Sequence, residues 1–141
     1  MTLLQDLESR LTIALAHENV ERGTGGPFGA AVLEAATGRL VAVGVNSVVR
    51  LHNAVLHGEI VAVMLAQQQL GSFTLASPGM PVHELVTSCD PCAMCLGAIL
   101  WSGVKRVVCG AAREDATHLR FDEGPVFPAS YAYLTERGIA F

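Results

Sequence analysis

The sequence has few basic residues and no long apolar run. Nine Lys and Arg residues stand against thirteen Asp and Glu, they are scattered along the chain, and the formal net charge is −4. Proteins that bind nucleic acids usually carry a basic patch, so a polynucleotide substrate is disfavoured. No apolar stretch approaches the ~20 residues that span a membrane, and Asp6 and Glu8 lie where a signal peptide would be apolar. We therefore expect a soluble, cytoplasmic protein with no membrane partner.

Cysteine is also scarce. Four cysteines are too few to hold a chain of 141 residues together by disulfides, and the grouping of Cys89, Cys92 and Cys95 is typical of metal binding. Charged residues make up only 16% of the chain and hydrophobic residues 51%, which argues against disorder. This length and composition predict one compact domain over residues 1–141.

Apolar periodicity predicts a helix followed by a β-hairpin at the start of the chain. The helix is expected to end near Gly23, with Glu8 on its solvent face and a core face formed by Leu4, Leu7, Leu11, Ala14 and Leu15. Two apolar runs flank a turn at Thr37-Gly38 and predict the hairpin over residues 30–49.

The rest of the chain predicts an α/β protein. The expected elements are a helix over 57–70, a strand over 82–87, a helix over 93–102, a strand over 105–111, a loop over 113–128, a helix over 129–137 and a fifth strand from Ile139. Helices between strands imply crossover connections and a mostly parallel remainder of the sheet.

The stretch Thr-Ser-Cys-Asp-Pro-Cys-Ala-Met-Cys has the clearest chemical meaning. Asp90 is a good N-cap and Pro91 a good first helical residue, so a helix is expected to begin there. Cys92 and Cys95 then share one face of the first turn, where the positive helix end favours thiolates. Two such thiolates can hold a zinc ion, and His57 is the candidate for a third ligand.

Three protein ligands leave the fourth zinc position to water, which is typical of catalytic sites. Zinc lowers the pKa of that water from about 16 toward about 7. Glu59 follows His57 by two residues at a helix start, so it can move the water's proton to the substrate without binding the metal. Hydroxide attack with proton delivery to nitrogen indicates hydrolysis of an amidine-like carbon and release of ammonia, with one zinc ion in each chain.

Each motif also has a simpler interpretation. His-Gly-Glu alone is most often a capped helix start, and Cys-x-x-Cys alone also occurs in structural zinc and redox sites. A structural site needs a fourth protein ligand, for which Cys89 is the candidate because residues 89–92 form a second Cys-x-x-Cys. We favour Cys89 as a packed thiol and Cys109 as a core residue. The non-enzymatic alternative is a binding module in which zinc only holds the core.

The sequence resembles the cytidine deaminase superfamily, and within it the guanine deaminase and tRNA adenosine deaminase branch. His-x-Glu followed by Pro-Cys-x-x-Cys is typical of zinc deaminases, and the similarity extends from Leu4 to Phe141. The segments that carry it are Gly26–Ala30, Asn46, His57–Glu59, Thr87–Cys95, Leu96–Ile99 and Trp101. The resemblance implies a homodimer and a three-layer α/β/α sandwich, whose five-stranded mixed sheet has its last strand parallel to the fourth.

The resemblance also implies roles for residues outside the zinc motifs. A Phe-Asp-Glu segment ending at Glu123 is similar to a guanine deaminase motif whose second carboxylate helps to bind guanine and to move protons. Asn46 would hydrogen-bond the substrate, the backbone N–H of Gly58 would face it, and Phe28 and Trp101 would pack near the base. Without the resemblance, Glu123 would be a solvated loop residue and the two aromatic residues would be core residues.

Three features depart from the family pattern. Gly58 replaces the usual Ala, which should leave the pocket roomier by a methyl group, and Asp90 replaces the commoner Glu, which should improve the helix cap. Family members continue beyond the fifth strand with a C-terminal helix, which closes the active site in guanine deaminases. This sequence ends at Phe141, so either the closing helix lies beyond this sequence or the pocket is more open.

The leading hypothesis is a zinc-dependent hydrolytic deaminase of a free nucleobase or a similar aminated heterocycle, with guanine first. A second carboxylate suits a ring that displays N–H and NH₂ donors, as guanine and aminotriazines do, whereas adenine offers fewer donors. The alternatives are s-triazines and cytosine or its aza analogue. Adenosine in tRNA is less favoured, because the chain lacks a basic surface.

Overall fold

The computed structural model describes residues 2–141, which form a mixed β-sheet with helices on both faces. The elements are α1 (Leu3–Glu21), β1 (Gly29–Glu34), β2 (Leu40–Val45), α2 (Gly58–Leu70), β3 (His83–Cys89), α3 (Ala93–Ser102), β4 (Arg106–Ala111), α4 (Arg113–His118) and α5 (Pro128–Glu136). The strand order is β2-β1-β3-β4. Strand β1 is antiparallel to both of its neighbours, and β3 and β4 are parallel. The expected layered α/β architecture is confirmed.

The predicted fifth strand is not formed among the described residues, and the sheet has four strands rather than five. Ala140 makes an isolated parallel bridge to Arg106. Its N–H donates to Lys105 O (2.9 Å), and its carbonyl accepts from Val107 N (2.7 Å). The direction agrees with the prediction, but the three residues after the Gly138 turn form only this one bridge.

Two apolar clusters fill the two faces of the sheet. The larger one joins the sheet to α2, α3 and α5, and it includes Val32, Leu85, Val107, Leu96 and Ile99. The smaller one lies under α1 and is built around Ala31, Leu33 and Val86, with Leu11 packed against it. Neighbouring residues of one strand thus enter opposite clusters, as the alternation of side chains along a strand requires.

Helix α1 does not present the predicted face to the sheet. Leu4, Leu7 and Ala14 are exposed, whereas Glu8 is only 4% exposed and lies on the buried face together with Ser9, Thr12, Ala16 and Asn19. Close approach explains the difference, because a Cβ on Gly29 of β1 would lie 2.6 Å from the Thr12 carbonyl oxygen. Small and polar side chains fit such a narrow gap, so tertiary packing overrides the leucine periodicity.

Helix α3 spans the predicted residues 93–102, but its N-cap and the segment after β4 differ from the predictions. Helix α3 begins at Ala93 with Cys92 as its N-cap, so Asp90 and Pro91 lie outside it. Asp90 instead accepts a hydrogen bond through Oδ2 from the backbone N–H of Arg113 (3.2 Å), at the start of α4. Residues 113–118, predicted as loop, form α4, where Asp115 Oδ2 accepts from Ala112 N (3.0 Å) and caps the first turn.

One end of the sheet gathers the segments that the motifs occupy. The antiparallel register places Gly29 beside Val45, at the carboxyl end of β2, and Ala30 beside Thr87 near the carboxyl end of β3. The starts of α2 and α3 follow β2 and β3 in the chain.

Among residues 2–141, no helix combines the length and apolar character needed to cross a membrane.

Candidate active site

The three predicted zinc ligands lie together. His57 is the N-cap of α2 and Cys92 the N-cap of α3, and neither side chain caps its own helix. Their ligand atoms and the Cys95 Sγ all lie within 4.8 Å of one another. The Cys92 Sγ is 3.6 Å from His57 Nδ1. Two helix N-termini therefore direct positive dipole ends and metal-ligating side chains at one point.

The charges of this group favour a bound cation. The pKa of Cys92 is lowered to about 4, first by the hydrogen bond from Cys95 and then by the contact with His57, against the effect of burial. The same Cys92 thiolate raises the pKa of Cys95 through their hydrogen bond, and burial adds to that rise. The hydrogen bond with Cys92 also raises the pKa of His57. The Cys92 thiolate thus favours the protonated forms of both neighbours, and a metal ion would replace those protons.

Cys89 does not belong to this group. Its thiol is buried and points to the carbonyl oxygen of Ala112 at 3.7 Å, and burial raises its pKa to about 11. Cys109 is half-buried against the larger core cluster, and burial raises its pKa as well. Among the described residues, no fourth His, Cys, Asp or Glu side chain completes the set.

This donor set fits zinc in an open site. One imidazole nitrogen and two thiolates are ligands that zinc prefers, and three protein ligands are typical of catalytic zinc. A structural zinc would need a fourth protein ligand, and the position of Cys89 provides none. We call His57, Cys92, Cys95 and the adjacent Glu59 the metal wall of the site.

Glu59 lies in the first turn of α2, close to the ligand group. It is 8% exposed, and burial raises the pKa of its carboxyl group, opposed first by a backbone hydrogen bond and then by His57. The Thr87 hydroxyl lies 3.3 Å from Glu59 Oε1 and 3.0 Å from the carbonyl oxygen of Cys89. Sequence reasoning missed this contact, although Thr87 belongs to the motif that includes the two cysteines.

A cavity of about 290 Å³ opens in front of Glu59. Four other residues that line it are Phe28, Asn46, Phe121 and Glu123, which we call the recognition wall. The rings of Phe28 and Phe121 meet edge to face, with centroids 5.1 Å apart. Glu123 is half-buried, and burial followed by the nearby Cys92 charge raises the pKa of its carboxyl group. The volume suits a single small ring system better than a larger ligand.

Two predicted substrate contacts do not line this cavity. Trp101 is 75% exposed and lies in a different groove, on the outer side of α3, with Met64 and Phe73. A Cβ on Gly58 would meet the carbonyl oxygen of Phe28 at 3.3 Å and the backbone of Gly44 at 3.5 Å. The missing methyl group therefore leaves room toward the strands, so the expectation of a pocket roomier by a methyl group is wrong.

Comparison with known proteins agrees with this geometry. Residues 5–111 match the profile described as the cytidine and deoxycytidylate deaminase zinc-binding region. The chain belongs to this family. Among curated proteins it is similar to the guanine deaminase of Bacillus subtilis, with 36% identity over 129 residues, which are 92% of this chain and 78% of that protein.

Solved structures of this family share the fold. The guanine deaminase of Nitrosomonas europaea has a TM-score of 0.91 and 41% identity, over 94% of this chain and 72% of that one. A structure in complex with 8-azaguanine has a TM-score of 0.93 and 40% identity, over 96% of this chain and 74% of that one. The chain thus spans about three quarters of the length of these relatives.

Proposed function

We propose that residues 1–141 form one zinc-dependent deaminase domain that hydrolyses guanine to xanthine and ammonia. The observation that carries the proposal is that His57 and Glu59 of the metal wall line one cavity together with Glu123. An open zinc site with a single carboxylate would serve many deamination reactions. The second carboxylate favours a ring with N–H and NH₂ donors, and the relatives named as guanine deaminases support this choice.

In this proposal, His57, Cys92 and Cys95 hold the zinc ion. When bound there, zinc supplies a Lewis acid that makes water a nucleophile at neutral pH. The two helix N-termini help to keep the thiolates ionised, and the burial of Cys92 and Cys95 excludes bulk water from the ligand sulfurs.

Glu59 moves the proton. Its carboxylate accepts a proton from the attacking water and delivers it to the substrate, ending on the leaving amino nitrogen as ammonia departs. Burial raises the pKa of its carboxyl group, which favours the protonated form that this step requires. Thr87 suits both states: its hydroxyl can donate to the ionised Oε1, or donate to the Cys89 carbonyl and accept from the protonated acid.

The recognition wall orients the ring. Asn46 Oδ1 accepts a hydrogen bond from Val48 N (3.3 Å), which leaves the Nδ2 hydrogens to donate to a ring acceptor. Glu123 accepts from ring N–H and NH₂ groups, and the edge-to-face pair of Phe28 and Phe121 borders the plane of the base. A buried carboxylate without a partner costs on the order of 1–3 kcal/mol or more, so rings that lack such donors should react poorly.

The expected homodimer is also part of the proposal. Several large apolar side chains on and beside α2 and α3 are exposed, including Met64 (53%), Phe73 (90%) and Trp101 (75%). A second copy of the chain packed on this face would cover them, as soluble proteins seldom leave such groups together in water. The expected dimeric mass can be measured by light scattering at micromolar concentration, and a monomeric mass would contradict the assignment.

The proposed reaction is tested by measuring ammonia release from guanine, an aminated s-triazine, cytosine, adenine and intact tRNA. We expect guanine to react best, the triazine next, and adenine and tRNA least. Robust deamination of tRNA with little activity on guanine would overturn the substrate assignment. Zinc-loaded protein that releases no ammonia from any compound would favour the non-enzymatic alternative.

A further inference from the structure

Asn19 is a buried amide that no motif of the sequence singles out. It lies on the last turn of α1 and is only 3% exposed. It does not line the cavity, and it is distant in the sequence from the metal ligands. Buried amides are retained only where their hydrogen bonds are made, so its partners identify what it does.

The side-chain amide of Asn19 connects two separate segments. Its Nδ2 donates to the carbonyl oxygens of Gly26 and Asn46, each at 2.9 Å. Its Oδ1 accepts from the hydroxyl of Thr24 at 2.7 Å. Because an amide NH₂ has two donor hydrogens, both are used, one for each segment.

Those two segments supply much of the recognition wall. Gly26, Phe28 and Asn46 all line the cavity. Phe28 N donates to Gly26 O at 2.8 Å, and Asn46 N donates to Phe28 O at 3.0 Å. Asn19 therefore holds both ends of a short chain of backbone hydrogen bonds that places the aromatic ring and the amide of the wall.

Gly25 shows how closely this arrangement is packed. A Cβ at this position would lie 2.1 Å from the carbonyl oxygen of Asn46 and 2.6 Å from Asn19 Nδ2. The backbone at Gly25 therefore passes directly over the hydrogen bond between Asn19 and Asn46, and only glycine has no Cβ to collide with it. The amide and the glycine together fix the distance between the loop and the end of β2.

We infer that Asn19 is a positioning residue for base recognition, acting through Phe28 and Asn46 without touching the substrate. The inference rests on the proposed function, because it assigns the cavity to a base. Removing the amide leaves the Asn46 carbonyl oxygen without its partner, takes away one of the two donors to the Gly26 carbonyl oxygen, and frees Asn46 to shift. Base binding should weaken, while the metal wall, built on α2 and α3, should stay intact.

The test compares Asn19→Ala with Thr12→Val. Thr12 is a matched control because it is fully buried on the same face of α1, and its hydroxyl donates only to Ser9 O at 2.9 Å within the helix. For zinc-loaded protein, the KM for guanine and the Kd for 8-azaguanine should each rise about tenfold in Asn19→Ala. Its kcat and zinc content should stay near the wild-type values. Thr12→Val should lower stability and leave KM and Kd unchanged.

A double-variant comparison separates positioning from general damage. In an Asn46→Ala background, adding Asn19→Ala should raise the Kd for 8-azaguanine by clearly less than the factor of about ten expected in the wild-type background, because one of the two groups through which Asn19 acts is already absent. The inference would be overturned if the Kd of the double variant rose by the full product of the two factors measured for the single variants. If Asn19→Ala does not fold, Thr24→Val removes the hydroxyl that donates to Oδ1 and to the backbone carbonyl oxygen of Asn19 (3.1 Å), and it should raise KM by about two- to threefold.

The failures of the two proposals can be told apart. Wild-type protein that neither binds 8-azaguanine nor deaminates guanine would overturn the proposed function, and the role of Asn19 with it. An active wild type with unchanged KM and Kd in the folded variants would overturn only the role of Asn19. A loss confined to kcat would do the same, because it would place the effect on the metal wall.

Discussion

The two walls of the cavity are built in different ways. The metal wall comes from two helix starts, where the ligands are N-caps or lie one turn further on. The recognition wall comes from a loop before β1, the end of β2 and the segment after α4. Local sequence is sufficient to define the first wall, whereas the second depends on residues that hold separate segments together.

Arg113 illustrates the dependence of the recognition wall on tertiary contacts. It begins α4, which leads to Glu123, and its Nη2 donates to the carbonyl oxygen of Pro91 (2.8 Å) and to the hydroxyl of Tyr131 (3.0 Å). One guanidinium thus ties the segment before Cys92 to α5. No short motif marks such a residue, just as none marks Asn19.

The largest expected effect lies within the metal wall. Cys92→Ser should lose its zinc and all deamination, since a hydroxyl is a far weaker zinc ligand than a thiolate. Cys89→Ser, the matched control, should keep about one zinc ion per chain, because Cys89 bonds to the Ala112 carbonyl instead. Elemental analysis of the purified variants measures both. Equal zinc loss in the two variants would support a structural site with four ligands.

The next largest effect concerns proton transfer at the same wall. Glu59→Gln should fold and bind zinc but lose turnover by about 10²- to 10⁴-fold, the usual contribution of a general acid–base group. The amide can still accept a hydrogen bond from Thr87, so the local structure should persist. Steady-state rates, normalised to zinc content, provide the measurement. Near-normal turnover would remove Glu59 from the mechanism.

A smaller effect is expected at the recognition wall. Glu123→Ala should lower kcat/KM for guanine by about 10- to 100-fold, the size of a hydrogen bond of ~1.5–3 kcal/mol to a charged group. Glu114→Ala, an exposed carboxylate on α4, is the control and should behave like the wild type. Both are compared by initial rates on guanine. A Glu123→Ala variant indistinguishable from the wild type would return the substrate choice to the wider superfamily.

Sequence patterns predicted the metal wall better than its surroundings. Residues His57, Glu59, Cys92 and Cys95 come together as expected, because ligands at helix starts need only the correct spacing and two adjacent strands. The number of strands was overestimated, since an apolar tripeptide ending at Phe141 looks like a strand whether or not it forms a full ladder. Trp101 lies outside the cavity, although the family resemblance implied a place near the base, because a motif match alone does not show which of two grooves a large aromatic residue will occupy.

The least predictable part of the fold is α1. Its leucines suggested the buried face, yet Glu8 lies against the sheet beside Glu84, which is fully buried and whose Oε2 accepts from Arg106 Nε at 2.6 Å. A strand residue that is charged and buried can be satisfied only by a partner from another element. Neither the strand nor the helix pattern contains that information, and the pairing appears only in the folded chain.

The smallest expected effect tests this mispredicted region. Among the described residues, no N–H or O–H group donates a hydrogen bond to either carboxyl oxygen of Glu8 or to the Oε1 of Glu84. A proton on Glu8 would let the two carboxyl groups bond to each other. Burial, followed by the hydrogen bond and charge of Glu84, raises the pKa of Glu8 to about 7. The folded state therefore holds a proton that the unfolded state releases near pH 4.5. This contribution to stability is fully present below pH 4.5 and is lost as the pH rises through about 7.

Glu8→Gln should remove that loss, because the amide can donate to Glu84 Oε1 at every pH. Relative to the wild type, the variant should gain stability on the order of 1 kcal/mol between pH 6 and pH 8.5, the size of roughly one pKa unit. Urea unfolding of zinc-saturated protein at the two pH values measures the difference in unfolding free energy between the variant and the wild type. Effects of the metal site are the same in both proteins and cancel in this difference. Glu18→Gln, which removes an exposed carboxylate paired with Arg22 on the same helix, serves as the control and should show no such trend. A constant difference between Glu8→Gln and the wild type across this range would show that Glu8 does not titrate there, and it would overturn the predicted pH dependence.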